Sequence, residues 1–447
     1  MYRYLKTDTC GKLMVKDCCL SDLVKTYGSP LFVFFEWRMV ENIKNIERAY
    51  KKYFKKFKLF YATKACSNSN ILEIIKNTGV GVEINSGGEL LKVIAAGFAP
   101  EDIVFNGVAK SVKELEDAVN YEIHSINVDS ISELLRIIET SKKTKKKANI
   151  SLRIVPEVMG GTVAGFETGH VNSKFGLMPS DLDIIAPIIL ENRMFVNYIG
   201  FHYHAGSQVI NPDAFTSALS NILNIENKFF KNTGLKSSCI NMGGGFPIPL
   251  APYNSMPVHA NGDSLPLEIQ KIISAELTIE HVAKLVASTW DNAYTNLNKN
   301  ETFVQIEPGR RVIGDAGILL ATVEHLKKRP NGLEWLMLDV GFNILPEILF
   351  YDWYYHVVSA SRFGEVHDKC FRLAGPLCDT GDSFHDERTG TKLPDSRLLP
   401  TNTQQKDILA ILNAGAYAIE QQSNYNGRAK AAAVIVRTSG DIQLVGS

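Results

Sequence analysis

Lys58-Leu59-Phe60-Tyr61-Ala62-Thr63-Lys64-Ala65 is an apolar run with a basic residue, Lys64, next to its end. Seven more short apolar runs follow it, at 81–84, 103–108, 125–128, 150–155, 198–204, 239–242 and 303–306, and each closes on small or polar residues. Continuous apolar strands of this length fit a sheet buried on both faces. Between most of them the period changes to that of a helix. Ile71, Leu72, Ile74 and Ile75 recur at spacings of three and four, as do Leu90, Leu91, Val93 and Ile94. Strands alternating with helices predict a parallel sheet, and eight strands is the number that closes a barrel. The expected fold class is therefore α/β, with a (β/α)8 barrel over residues 31–313, a span of about 280 residues that is usual for that architecture. An open, doubly wound sheet competes, but its Gly-rich first turn is missing, because the first run continues into Lys64-Ala65-Cys66.

Beyond Gly314 the texture changes. Runs at 318–324, 334–339, 369–374, 407–413 and 433–437 read as strands separated by turn-rich stretches, without regular helices between them. They predict a sandwich-type β domain of residues 314–447 joined by residues 1–30. The polar stretch 386–403, with two prolines, is expected to be a surface excursion. No internal repeat or low-complexity tract occurs.

Composition narrows the function. Of the 447 residues, 45% are hydrophobic and 21% charged, the balance of a globular protein with a large core. Lys+Arg and Asp+Glu both total 48, so net charge gives no case for nucleic acid or an anionic membrane as partner. The basic run 51–58 reads as a nucleic-acid patch or as a solvated helix face, and the apolar strand behind it favours the face. Seven cysteines without framework spacing argue against a disulfide scaffold and fit a reducing compartment. Cys18 and Cys19 lack a second pair at zinc-ligand spacing. With no apolar leader-like segment in residues 1–16 and no long uncharged apolar stretch, the expected location is the cytoplasm.

The active site of such a barrel gathers at the C-terminal strand ends. Those positions hold Lys64, Glu83, Asn106, Arg153, His204, Ser207, Gly243 to Gly245, Glu307 and Arg310. A lysine sheltered at the end of a buried strand can present a neutral amine for Schiff-base formation, although a lone strand-end lysine more often just reaches solvent. A glycine triplet after a strand lets backbone N–H groups approach a phosphate, or it is only a turn. Glu307-Pro308-Gly309-Arg310 adds a carboxylate and a guanidinium. Such a carboxylate can face a cofactor's pyridinium nitrogen, and the guanidinium can grip a phosphate or a substrate carboxylate. His202 and His204 alternate along one strand. A metal pair is one reading, but no third ligand has suitable spacing, and His204-Ala205-Gly206-Ser207 fits better as a stacking ring followed by a phosphate-holding hydroxyl.

Six segments in order then carry a resemblance. Tyr61-Ala62-Thr63-Lys64, His204-Ala205-Gly206-Ser207, Gly243-Gly244-Gly245, Glu307-Pro308-Gly309-Arg310, Cys378-Asp379-Thr380-Gly381-Asp382 and Gly415-Ala416-Tyr417 are similar to motifs of the fold-type III pyridoxal-phosphate decarboxylases of diaminopimelate, ornithine and arginine. The resemblance covers residues 29–444. It implies pyridoxal 5'-phosphate as cofactor and a homodimer in which each β domain completes the partner subunit's active site. It implies that Lys64 carries the cofactor, Glu307 faces the pyridine nitrogen, His204 stacks on the ring, and Ser207, Gly244, Gly245 and Tyr417 hold the phosphate. Glu83, Arg153 and Gly309 complete the cofactor site. Cys378 would return a proton to the α-carbon after carbon dioxide leaves, whereas read alone it is a buried structural thiol.

Two departures bear on the substrate. Where diaminopimelate enzymes carry an arginine for the distal carboxylate, this chain has Glu347, and where they carry glutamate after the cysteine it has Asp379. An acid attracts an ammonium and repels a carboxylate. The expectation is a diamino acid with a distal amine, of the D-ornithine or D-lysine type, bound by Arg310, Glu347, Tyr351 and Asp379. meso-Diaminopimelate decarboxylation to L-lysine is the alternative, and a racemase or a pyridoxal-phosphate-binding protein is the alternative of another class.

Overall fold

Eight strands, Phe57–Ala62, Gly81–Ile84, Ile103–Phe105, Ser125–Val128, Ala148–Arg153, Val196–His202, Cys239–Asn241 and Phe303–Ile306, form a closed and wholly parallel barrel. The computed structural model describes residues 4–158, 169–252, 257, 264–385 and 394–445. The last strand closes on the first, with Val304, Gln305 and Ile306 opposite Phe57, Lys58 and Leu59. All eight apolar runs are barrel strands because each is buried on both faces, inward on the lumen and outward on the helices. The helices keep their period. Ser69–Asn77 buries Ile71, Leu72, Ile74 and Ile75, and its N-cap Asn68 accepts from the N–H of Asn70. Val112–Tyr121 starts in a capping box between Ser111 and Glu114.

The chain divides into two compact units, one of residues 40–247 with 277–312 and the other of 1–39, 248–276 and 313–447. The second is mostly sheet. Its long strand Gly317–Lys328 pairs with Leu31–Phe35, Glu334–Leu338 and Ile408–Ile411. Leu31–Phe35 was expected inside the barrel segment. It instead lies between Gly317–Lys328 and Ala432–Val436, where Leu31, Val33 and Phe35 face a core with Ile318, Leu320, Val434 and Val436. Its pattern is that of a barrel strand, since both environments bury both faces. A small three-stranded sheet, Leu5–Thr7, Leu13–Val15 and Cys18–Cys19, packs Leu13 and Val15 into the same core.

The expected excursion 386–403 needs correction. Residues 386–393 lie outside the described ones, but Arg397–Pro400 is a strand on His367–Ala374. Arg397 is buried and satisfied by the carbonyl oxygens of Tyr355, Phe384, Pro394 and Ser396. The basic run 51–58 is solvated in part and paired in part, Lys51 with Glu47 and Lys58 with Asp102. All seven cysteines are free thiols. Among the described residues no helix is long and apolar enough to cross a membrane.

Candidate active site

The C-terminal mouth of the barrel is built on polar residues buried at strand ends. Glu307 ends the last strand, with Oε1 accepting from Asn241 Nδ2 at 2.7 Å. Its Oε2 accepts from Asn106 Nδ2 at 2.9 Å and lies 3.1 Å from His202 Nε2. Burial opposes its ionisation, but the hydrogen bond from His202 and the charge of Lys64 outweigh burial and hold the carboxyl below its ordinary value. His202 is itself held below its ordinary value, chiefly by burial, so at neutral pH it offers Glu307 a hydrogen bond rather than a full charge. A second carboxylate, Glu83, is completely buried, and burial first, then the neighbouring charge of Glu307, push it up to about 7 against the pull of Lys64. Asn106 Nδ2 donates to Glu83 Oε1 at 2.9 Å as well, so one amide ties the two acids together, and Asn127 supports it at 2.7 Å.

Lys64 follows the first strand in a single 3-10 turn, with Nζ 3.7 Å from Glu83 Oε2. The turn is fixed by Thr63, whose hydroxyl lies 2.9 Å from the carbonyl of Glu83 and 2.8 Å from Glu89 Oε2. Arg153 Nε stands 3.8 Å from Asp129 Oδ1, and its guanidinium lies 4.5 Å from the centre of the Phe175 ring. The Asp129 side chain accepts from the N–H of Gly176, and its backbone N–H donates at 2.8 Å to Glu133, which also takes the buried ammonium of Lys110 at 3.0 Å.

Gly243 to Gly245 form a backbone cradle. A Cβ would stand 2.5 Å from the carbonyl oxygen of Tyr203 at Gly243, 2.4 Å from that of Glu307 at Gly244, and 2.4 Å from that of Gly206 at Gly245. Gly243 and Gly245 also have positive φ, 63° and 96°. The N–H of Gly244 donates to His204 Nδ1 at 3.0 Å, which leaves the ring's Nε2 to carry the proton. Burial first, with Lys64 and Arg153 beside it, holds His204 well below its ordinary value, so the ring is neutral. His202 and His204 thus serve different partners, and among the described residues no group of three His, Cys, Asp or Glu could hold a metal.

Ser207, Gly309 and Arg310 belong to the barrel unit, with Arg310 buried and Ser207 half-buried, and the other expected residues lie in the sheet unit. Cys378 is exposed, its N–H donating to Asn426 Oδ1 at 2.8 Å. Asp379 accepts from the N–H of Gly381 at 2.9 Å and from Tyr425 at 3.3 Å. Asp382 accepts from the N–H groups of Leu377 and Phe342 at 2.7 and 2.8 Å and so fastens the cysteine loop to the strand exit at Gly341. Tyr417 adopts φ 67°, uncommon for a residue with a side chain. Glu347 is buried, with Oε2 accepting from Tyr355 at 3.0 Å, and Tyr351 is half-buried at the end of the short helix Glu347–Tyr351.

Asn241 and His202 as partners of Glu307, and the Lys110–Glu133–Asp129 support of Arg153, were not read from the sequence. The signal for Asn241 was present: an amide at the end of an apolar strand run must find a buried partner.

This mouth fits pyridoxal phosphate. It has a strand-end amine, a glycine cradle too close for any side chain, a buried acid kept ionised, and a buried carboxylate oxygen, Glu83 Oε2, without a hydrogen-bond partner among the described residues. Together with the parallel barrel, that set defines the class of pyridoxal-phosphate enzymes built on an eight-stranded barrel with a sheet domain. Residues 40–314 match the family model for the pyridoxal-binding domain of pyridoxal-dependent decarboxylases. Diaminopimelate decarboxylase of Methanothermobacter thermautotrophicus is 30% identical over all of this chain and 95% of its own length. That of Aquifex aeolicus is 30% identical over 97% and 93%. The crystal structure of diaminopimelate decarboxylase from M. jannaschii in complex with L-lysine superposes with a TM-score of 0.83 at 28% identity, covering 99% of this chain and 94% of that one. The chain belongs to the pyridoxal-dependent decarboxylase family, on the diaminopimelate decarboxylase side of it, and is a carboxy-lyase that uses pyridoxal phosphate. That membership sets aside the racemase and the binding-protein readings.

Proposed function

We propose that the chain decarboxylates meso-diaminopimelate to L-lysine and works as a homodimer. One observation carries the reading: diaminopimelate decarboxylases align with the chain from end to end, through barrel and sheet unit alike. When bound, pyridoxal phosphate supplies an electron sink for the pair left by the departing carboxylate. Lys64 is the amine that holds it. Glu307, kept ionised by two amides and an imidazole, would pair with the pyridine nitrogen, and neutral His204 would meet the ring. Ser207, Gly244, Gly245 and Tyr417 take the phosphate, with Gly309 leaving room beside Ala62 and Ala65. Arg310 takes a phosphate oxygen or the substrate's carboxylate, and Arg153 and Glu83 border the amine. The partner subunit's Cys378 returns a proton to the α-carbon, on a loop fastened by Asp382.

A second substrate reading rests on Glu347. The acid stands where an arginine was expected, and it favours a distal ammonium, as in D-ornithine or D-lysine. Its pairing with Tyr355 gives that oxygen another occupation, which supports the first reading. Carbon dioxide release from meso-diaminopimelate, D-ornithine and D-lysine decides between them. Diaminopimelate should win by more than about tenfold in kcat/KM. Preference for either amine-ended substrate, with Glu347→Arg shifting it toward diaminopimelate, would overturn the proposal.

A further inference from the structure

Two buried acids share the barrel mouth, and their hydrogen bonds differ. Both oxygens of Glu307 are occupied, Oε1 by Asn241 and Oε2 by Asn106 and His202. Glu83 has one oxygen bound to Asn106, while Oε2 has no hydrogen-bond partner among the described residues. That oxygen is fully buried and directed at Lys64 Nζ, 3.7 Å away. Glu89, the other nearby acid, is occupied by Thr63 and by the N–H of Asn85 at 2.6 Å.

We infer that Glu83 is the proton-exchange partner of Lys64: its Oε2 takes a proton from the lysine ammonium when the amine must become a nucleophile, and returns it when the amine is released. In the forward direction the Nζ–H bond breaks as the Oε2–H bond forms, and the reverse step restores the ammonium, so no other reagent is consumed. The lysine side chain, two-fifths exposed, has the freedom to close the remaining distance, and catalytic contacts tighten when a site is loaded. Asn106 makes the arrangement selective. By donating to both acids it leaves Glu307 as the fixed anion and Glu83 as the one that changes state. The upward displacement of the Glu83 carboxyl to about 7 agrees with this assignment. The charged or titratable groups around Glu83 are Lys64, Glu89, Glu307 and Arg153, with His202 and His204 beyond them near Lys64.

The inference rests on Lys64 carrying the cofactor, which is tested first: borohydride should fix pyridoxal phosphate to Lys64 in the loaded wild type. The full-length chain is then freed of cofactor and labelled with trace acetic anhydride from about pH 5 to 10, and Lys64 acetylation is read by peptide mass spectrometry. Wild type should show an inflection near neutrality in addition to that of the amine itself. Glu83→Gln should lose that inflection and label about tenfold faster at pH 7, because the nearby anion that holds the ammonium is gone. A folded Glu83→Gln chain, judged by its melting temperature, with a profile within twofold of wild type would overturn the assignment. If that variant does not fold, Glu83→Asp decides, since drawing the carboxylate back from Nζ should displace the inflection and an unmoved one counts against the proposal. Failure to trap the cofactor on Lys64 would instead sink the underlying reading, whatever the labelling shows.

Discussion

Asn106 carries more of the barrel mouth than its size suggests. One side chain donates to two carboxylates and accepts from Asn127, all inside a buried site. Replacing it with leucine of similar volume removes the partner of Glu83 Oε1 and of Asn127 Nδ2 and leaves Glu307 Oε2 with His202 alone, and each group left unpaired is desolvated at a cost of about 1–3 kcal/mol. Asn106→Leu should therefore lower unfolding free energy by at least that amount in a denaturant titration, and a neutral substitution would contradict the network. Gly244 sets a steric limit of a different kind. An alanine there would place its Cβ 2.4 Å from the carbonyl oxygen of Glu307, and backbone rather than a flexible tip must then shift. Gly244→Ala should weaken pyridoxal phosphate binding by more than about tenfold, because the shift moves the backbone cradle together with the N–H that holds His204. Fluorescence titration of the cofactor-free chain measures it.

Among the elements, the loop that bears Cys378 is fastened at its base by one acid. Asp382 accepts two backbone N–H groups and sits so close to Gly341 and Gly375 that a Cβ on either would come within 2.3 Å of its oxygens. Asp382→Ala should release the loop and cut turnover by ten-fold or more by analogy with the loss of other positioning groups, while cofactor retention stays unchanged because the barrel residues are untouched. Loss of both together would contradict a role confined to the loop. The elements themselves were legible where burial is uniform. All eight barrel strands stand out as apolar runs because the sequence around them is helical or polar. Leu31–Phe35 was misassigned because a strand buried on both faces reads the same in a barrel and in a sheet core. Arg397–Pro400 was not visible, since its buried arginine looks like a surface residue until four carbonyl oxygens are found around it. At the candidate site, the gathering of Lys64, His204, the glycines and Glu307 at the strand ends was legible by position. The partners of Glu307 were not, because His202 and Asn241 reach it from strands 105 and 66 residues away in sequence.

Over the whole molecule, buried titratable groups set opposite limits on stability. His124 in the barrel unit and His356 in the sheet unit are pushed down, chiefly by burial, to about 4 and about 3. Their folded values lie below the unfolded one, so both contribute stability that is complete above about pH 6.5 and is lost as pH falls through the folded values. For His124 the full difference amounts to roughly 3 kcal/mol. Glu83 and Asp339 act the other way, being pushed up to about 7 and about 6 chiefly by burial. A carboxyl with a raised folded value stabilises only while both states are protonated, below about pH 4, and that contribution is lost as pH rises through 6 to 7. The histidines therefore fall away in acid just where the carboxyls would help, and the carboxyls fall away toward neutrality just where the histidines recover. Because these opposed contributions nearly offset one another between about pH 4.5 and 6, the wild-type melting temperature should change little there in scanning calorimetry, and a single-site variant carries the test. His124→Gln should gain on wild type as pH falls from about 6.5 to 4, by the share of one proton, and keep a constant difference from it above about pH 7. A difference that stays constant over the whole range would mean that the His124 ring takes up its proton inside the folded chain.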